Sequence, residues 1–393
     1  MLLDKTTLGE ISIDNKGYYG IAASAVDYSK ELYTYLRITD ITDDGRINYT
    51  NLKSVNDINA KNYLLKPNDI VFARTGGSTG RNYFYDGNEG EFVYAGFLIK
   101  FSLDDKKVNP RFIKYYCQSS KYKNWILSYN TGSTRGNINA QTYANMEIEL
   151  PPRDYQDRAV LLLDSIENKL LVNTTINNNL EQQAQAIFKS WFVDFKPFGG
   201  TMPNDWEISK VENAVTFSQG VQVPVAQQST TKENGYVQFI RIIDLTQQNT
   251  DIRYIPSCNR GNIDYDDIFM IRYGSPGILG RNCRGIIANN LFKIEPKIGL
   301  TKNYLFNYFN SSKIQDYIKQ NAISSTMPAI NFSTLYGKEI IIPTVDIIEK
   351  FTRIDEIFRL KLLNINIENQ KLIQLRDILL PKLMNGEIDV SKV

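Results

Sequence analysis

The chain has 393 residues, enough for two or three domains that each bury a core, and its 42% hydrophobic and 22% charged content excludes wholesale disorder and fibrous classes. It contains no histidine, which removes histidine triads, histidine general bases and most zinc sites, and Cys117, Cys258 and Cys283 share no Cys-x-x-Cys spacing and read as thiols of a reducing compartment. The net charge of +2 hides segregation: residues 106–146 carry seven basic side chains and no acid, and residues 268–294 carry four and no acid, so a polyanion meets local basic surfaces. Apolar runs are too short to cross a bilayer and no secretory leader opens the chain, so a cytoplasmic protein without a membrane partner is expected.

In chain order, residues 35–41, 69–74 and 92–101 read as strands between Gly, Asn and Asp turns. A helix follows Pro110, with Phe112, Ile113, Tyr116, Trp125 and Ile126 as core residues rather than stacking platforms. A strand at 146–150 ends at Pro151-Pro152, after which the character of the sequence changes. From about residue 155 there is no glycine or proline until Pro197. Leu163, Ile166, Leu170, Asn173, Asn177, Leu180, Ala184, Ile187 and Trp191 alternate steps of three and four, the seam of a coiled coil. Phe351, Ile354, Phe358, Leu362, Ile365, Asn369, Leu372, Leu379 and Leu383 form a second, less regular stripe. Asn177 and Asn369 hold equivalent places, where a polar residue fixes register. Each helix reaches roughly 50 Å at 1.5 Å per residue.

The halves repeat. Tyr-Leu-Arg-Ile-Thr-Asp-Ile-Thr at 35–42 matches Phe-Ile-Arg-Ile-Ile-Asp-Leu-Thr at 239–246, and Asp-Ile-Val-Phe-Ala-Arg at 69–74 matches Asp-Ile-Phe-Met-Ile-Arg at 267–272. Each of the latter runs into a Gly-rich turn ending in Gly-Arg (Gly80-Arg81, Gly280-Arg281). Residues 133–151 match 325–343 with eight identities in nineteen positions, among them the Ser-Thr-x-x-x-Ile-Asn motifs at Ser133 and Ser325. The period is that of a duplicated domain rather than a solenoid. The expected fold is α+β: two α/β domains at 1–152 and 197–343, separated by long helices at 153–196 and 344–393. The helices form an intramolecular antiparallel coiled coil with pseudo-two-fold duplication, because two copies in one chain meet at high effective concentration.

This order of features resembles the specificity subunit of a type I restriction–modification system over nearly the whole chain. The resemblance implies a sequence-specific DNA-recognition subunit whose two target-recognition domains each read half of a split, asymmetric duplex site, with the helices as spacer. It further implies two methyltransferase subunits and two restriction–motor subunits as partners, with S-adenosylmethionine, ATP and Mg bound only by them. The residues agree with a non-catalytic role: Pro151-Pro152 lies between Leu150 and Arg153, not in the (Asn/Asp)-Pro-Pro-(Tyr/Phe) setting of an amino-methyltransferase, and no Walker A motif occurs. No catalytic and no metal-ligating residue is assigned.

Base reading needs Arg, Asn, Ser or Thr on loops that reach a groove. The candidates are Ser24, Arg74, Ser78, Thr79, Arg81, Arg135 and Asn137 in the first half, and Arg272, Ser275, Arg281, Arg284 and Thr326 in the second. Arg37 and Arg241 are equally readable as ion pairs with Asp40 and Asp244. The alternative is a coiled-coil scaffold with two protein- or glycan-binding domains, which steep salt dependence of duplex binding would separate from a DNA reader. A duplicated enzyme is a third reading, disfavoured by the missing histidine.

Overall fold

The computed structural model describes residues 3–129, 137–246, 251–297, 299–322 and 328–390. The chain forms two compact units, Met1–Leu171 with Asn369–Val393, and Val172–Glu368. The expected boundaries at 152/153 and 343/344 fall at the starts of the long helices Arg153–Phe192 and Val345–Met384, and each unit takes a portion of both helices.

In the first unit a four-stranded sheet runs in the order Tyr18–Tyr19, Leu98–Ser102, Asp69–Ala73, Asn82–Tyr85. A second runs Ala25–Asp27, Lys53–Val55, Tyr33–Leu36, Phe92–Tyr94, its last pair parallel. The second unit repeats the first sheet as Val215–Gln219, Leu291–Pro296, Ile268–Ile271, Leu279–Gly280. It repeats the parallel pair as Tyr236–Ile240 with Gly285–Ile287. In both units the strand entering the long helix pairs antiparallel with an opening strand: Glu147–Leu150 with Asp4–Thr7, and Glu339–Ile342 with Glu207–Lys210.

The repeated motifs are local staples. Asp69 accepts the Lys66 N–H at 2.8 Å and pairs with Lys100 at 3.1 Å; Asp267 accepts the Asp264 N–H at 2.9 Å and pairs with Lys293 at 2.9 Å. Each carboxylate turns the chain into its strand and ties that strand to the next. Asp40 accepts the Arg37 N–H at 2.8 Å and Nε–H at 2.9 Å, and Asp244 accepts the Arg241 N–H at 2.7 Å. This closes a turn, so the strand expected at 35–41 stops at Leu36, and its counterpart runs into the short helix Ile242–Thr246. The run expected as one strand at 92–101 is broken by a turn in which Leu98 N–H reaches the Ala95 carbonyl at 2.8 Å. The helix after Pro110 is two helices, Pro110–Tyr116 and Ser120–Ser128, the second capped by Ser119.

The long helices meet with opposite polarity within each unit. In the first, Tyr155, Ala159, Val160 and Leu163 share a core with Leu380, Leu383, Met384 and Val390, under the sheet residues Phe72 and Phe101 and the helix residue Phe112. In the second, Phe188 and Phe192 pack on Ile348, Phe351 and Tyr304, with the Phe192 and Phe351 rings 5.1 Å apart and edge-on. Start meets end, and end meets start: the pairing is antiparallel. Along the seam Leu163, Ile166, Leu170, Leu180 and Leu362 are buried, and Asn177, Trp191, Phe358, Asn369 and Leu372 are half-buried. Asn173 donates to Glu368 at 2.8 Å and Asn177 to Asn366 at 3.1 Å, a polar step in an apolar seam that specifies register. Among the described residues no helix is long and apolar enough to cross a membrane.

Candidate nucleic-acid interface

In each unit the strand ending in arginine is knitted to two loops by the same backbone bonds. In the first, the Arg74 N–H donates to the Phe97 carbonyl at 3.0 Å, the Arg74 carbonyl accepts from Ile138 at 2.9 Å, and Thr75 bridges Asn137. In the second, the Arg272 N–H donates to the Asn290 carbonyl at 2.8 Å, the Arg272 carbonyl accepts from Ile330 at 3.1 Å, and Tyr273 bridges Ala329. A third loop crosses at Gly20 and at Gly220. A Cβ there would lie 2.3 Å from the Ala95 carbonyl oxygen or 2.2 Å from that of Ile287, so only glycine permits the crossing. Each unit thus presents one ridge of three loops held by main chain, a rigid support for groove-reading side chains.

The structure brings several sequence candidates onto these ridges. Arg74 is half-buried with its guanidinium 5.1 Å over the Tyr19 ring, and its Nε is buried without a hydrogen-bond partner among the described residues. Asn137 is exposed beside it. Ser78 and Thr79 form the tip of the Gly76–Ser78 turn, closed by the Thr79 hydroxyl on the Gly76 carbonyl at 2.8 Å. Ser24 is exposed ahead of Ala25–Asp27. In the second unit Ser275 is half-buried in the turn after Tyr273, whereas Arg284 lies at the start of Gly285–Ile287, away from the ridge, 69% exposed with Asp264 at 3.9 Å. Arg272 is engaged: its Nε donates to the Ile330 carbonyl at 3.1 Å and its Nη2 to Asn331 at 2.5 Å, which makes it a clamp on its own ridge. Arg135 and Thr326 lie outside the described residues.

Other candidates are engaged by partners within the chain. Arg281 lies 3.3 Å from the Asp355 carboxylate and 3.8 Å over the Phe306 ring with 9% of its side chain exposed, so its expected place on a DNA-facing turn is corrected to an internal pin. The charge of a nearly solvent-free guanidinium is spent on its partner. Burial pulls its pKa down and Asp355 opposes that. Arg81 is tied to Asp43 at 2.6 Å and to the Ile41 carbonyl at 3.2 Å, which braces the turn from behind. Arg37 and Arg241 are turn ion pairs with Asp40 and Asp244.

The acid-free basic runs are also largely neutralised by acids from elsewhere in their own unit. Arg111 pairs with Asp164 at 2.8 Å, Lys114 with Glu167 at 2.5 Å, Lys121 with Glu149 at 2.8 Å, and Lys293 with Asp267 at 2.9 Å. Phe112 and Tyr116 are core, and Trp125 packs on Tyr143 at 5.6 Å. Burial pushes the Cys117 thiol up, and the Cys283 thiol is pushed up to about 12, so neither is a ready nucleophile. Sequence reasoning missed Tyr19, Phe97 and Asn290. Their signal was the pair Gly20 and Gly220, which marked the loops without showing what they cross.

A sequence profile described as "Type I restriction modification DNA specificity domain" matches residues 5–182 and again 203–376. The chain belongs to this family. The double match reproduces the duplication of sheets and ridges described above. Relatives include the type I restriction enzyme HindI specificity subunit of Haemophilus influenzae, 24% identical over 82% of this chain and 87% of that protein. The MjaIX specificity subunit of Methanocaldococcus jannaschii is 23% identical over 73% of this chain and 71% of its own. Among solved structures, the type I restriction–modification S subunit from M. genitalium has the same fold, with a TM-score of 0.57, 16% identity, and 97% of this chain and 96% of that one covered. As a specificity subunit, the chain is the non-catalytic, DNA-target-recognising component of such a system.

Proposed function

We propose that the chain reads an asymmetric, bipartite duplex, one half-site per unit, and positions methyltransferase and restriction subunits on it. The carrying observation is that one backbone ridge occurs twice with different chemistry. The first ridge presents Tyr19, Arg74 and Phe97, and the second has Gln219, Arg272 and Asn290 at the corresponding places. Two supports of one shape with unlike side chains read unlike sequences. The helices Arg153–Phe192 and Val345–Met384, forty residues each and about 60 Å long, set the unread gap.

The partner set in this reading is two methyltransferase subunits and two restriction–motor subunits, with S-adenosylmethionine, ATP and Mg held by them. The absence of an amino-methyltransferase motif and of a Walker A motif from this sequence supports that division. The test is single-molecule sequencing of methylated adenines in cells with and without the gene. Two short, unlike blocks at a fixed separation, lost on deletion, are expected. A contiguous palindromic motif, or methylation indifferent to the gene, refutes the proposal.

A further inference from the structure

The ridges differ most at one turn. In the first unit Leu98 N–H bonds the Ala95 carbonyl at 2.8 Å and Ala95 N–H the Leu36 carbonyl at 3.0 Å. In the second, Leu291 bonds Ala288 at 2.9 Å and Ala288 bonds Ile240 at 2.9 Å. The residue delivered to the ridge is therefore Phe97 in one unit and Asn290 in the other. Phe97 is 57% exposed, whereas Asn290 is half-buried with an Oδ1 that has no partner among the described residues.

A ring left in water on a turn pinned by four main-chain bonds gains from a partner that covers it. Its neighbours define that partner. Phe97 is bonded through its carbonyl to Arg74, a half-buried guanidinium with no carboxylate partner among the described residues, and Tyr19, stacked under Arg74, is itself 42% exposed. An apolar edge next to a hydrogen-bond acceptor, on a polyanion, is what a major groove offers where a thymine 5-methyl adjoins a purine. We propose that Phe97 determines specificity in the first half-site by covering a thymine 5-methyl, with Arg74 donating to the neighbouring base; this rests on the DNA-reading function proposed above. Asn290, an amide at the equivalent place, reads a different edge in the second half-site.

The test selects duplexes from a random-sequence library with the purified full chain, then replaces each thymine of the enriched first block by uracil. Removing a covered methyl weakens wild-type binding about fourfold at one position, the equivalent of about 0.8 kcal/mol per buried carbon. Phe97→Ala relaxes that position and abolishes the thymine–uracil difference; Phe97→Leu keeps part of it. Asn290→Ala relaxes only the other block, and Ile58→Ala, at a residue 97% exposed, changes nothing. Retention of the second block by Phe97→Ala shows that the variant is folded. A Phe97→Ala protein that selects the wild-type motif with the uracil penalty intact overturns the assignment, as does equal relaxation of both blocks, which marks a general or protein-docking role. If wild type enriches no motif, the DNA-reading proposal itself fails.

Discussion

Lengthening the helix pair should move the gap and nothing else. The amide contacts Asn173–Glu368 and Asn177–Asn366 give the level at which the seam is to be cut. Four residues inserted between Asn177 and Asn178, and four between Ile365 and Asn366, enter the two helices opposite each other and leave both amide pairs in place. Insertions beside Leu170 and Leu362 would not be level, and would shift every seam contact between them. Each insertion adds about 6 Å and rotates the helix about 40° beyond a full turn. Along the duplex, 6 Å is about 1.8 base pairs, which turn the groove by about 60° at roughly 10.5 base pairs per turn. The mismatch of about 20° is small, so the methylated motif should keep both blocks and lengthen its gap by one or two base pairs. A four-residue step is a tolerated stutter in the seam, whereas inserting into one helix alone should unfold the pair. The assay is the methylation motif of cells carrying the double insertion. Undiminished methylation at the original gap would refute the idea that these helices set the spacing.

Gly20→Ala places a Cβ 2.3 Å from two main-chain oxygens and should destabilise the first unit by about 3 kcal/mol, with loss of the first block; an unchanged denaturation midpoint would sink this. Arg281→Ala leaves Asp355, 1% exposed, with only the Asn303 and Asn307 amides and without its cationic partner, and should cost about 3 kcal/mol of stability while leaving the selected motif unaltered; a relaxed motif at unchanged melting temperature would return Arg281 to the interface. Asp267 gives a pH dependence that can be tested. Burial pushes its carboxyl up, but Lys302, the Asp264 N–H and Lys293 outweigh that and hold it below the usual aspartate range. Its stabilisation is therefore complete above the unfolded value of about 3.9 and is lost as pH falls through the lower folded value. The fall in melting temperature below about pH 4 should be shallower in Asp267→Asn, less stable at neutral pH, than in wild type; parallel acid curves would contradict it.

The duplication, the helix seam and the Arg-x-x-Asp and Asp-Ile staples are legible in the sequence because each depends on residues a few positions apart or on a repeated pattern. Leu163, Ile166 and Leu170 announce their face by spacing alone. That strands lie within the runs 35–41, 69–74 and 92–101 follows from the same local signals. Their limits do not, since the Asp40 staple and the turn at 95–98 cut short what β-propensity would extend. What each charge does was decided only by the fold. Arg111 and Asp164 are 53 residues apart in sequence and Arg281 and Asp355 are 74 apart, so a run that reads as basic surface becomes an ion-pair network once the long helix lies beside it. Gly20 marks the loop that crosses beside Phe97, but nothing in the sequence marks the exposure of the Phe97 ring. Its exposure follows from a turn held by Leu36, Arg74 and Ile21, contacts that exist only after distant strands have paired, and side-chain burial is set by such pairings rather than by composition.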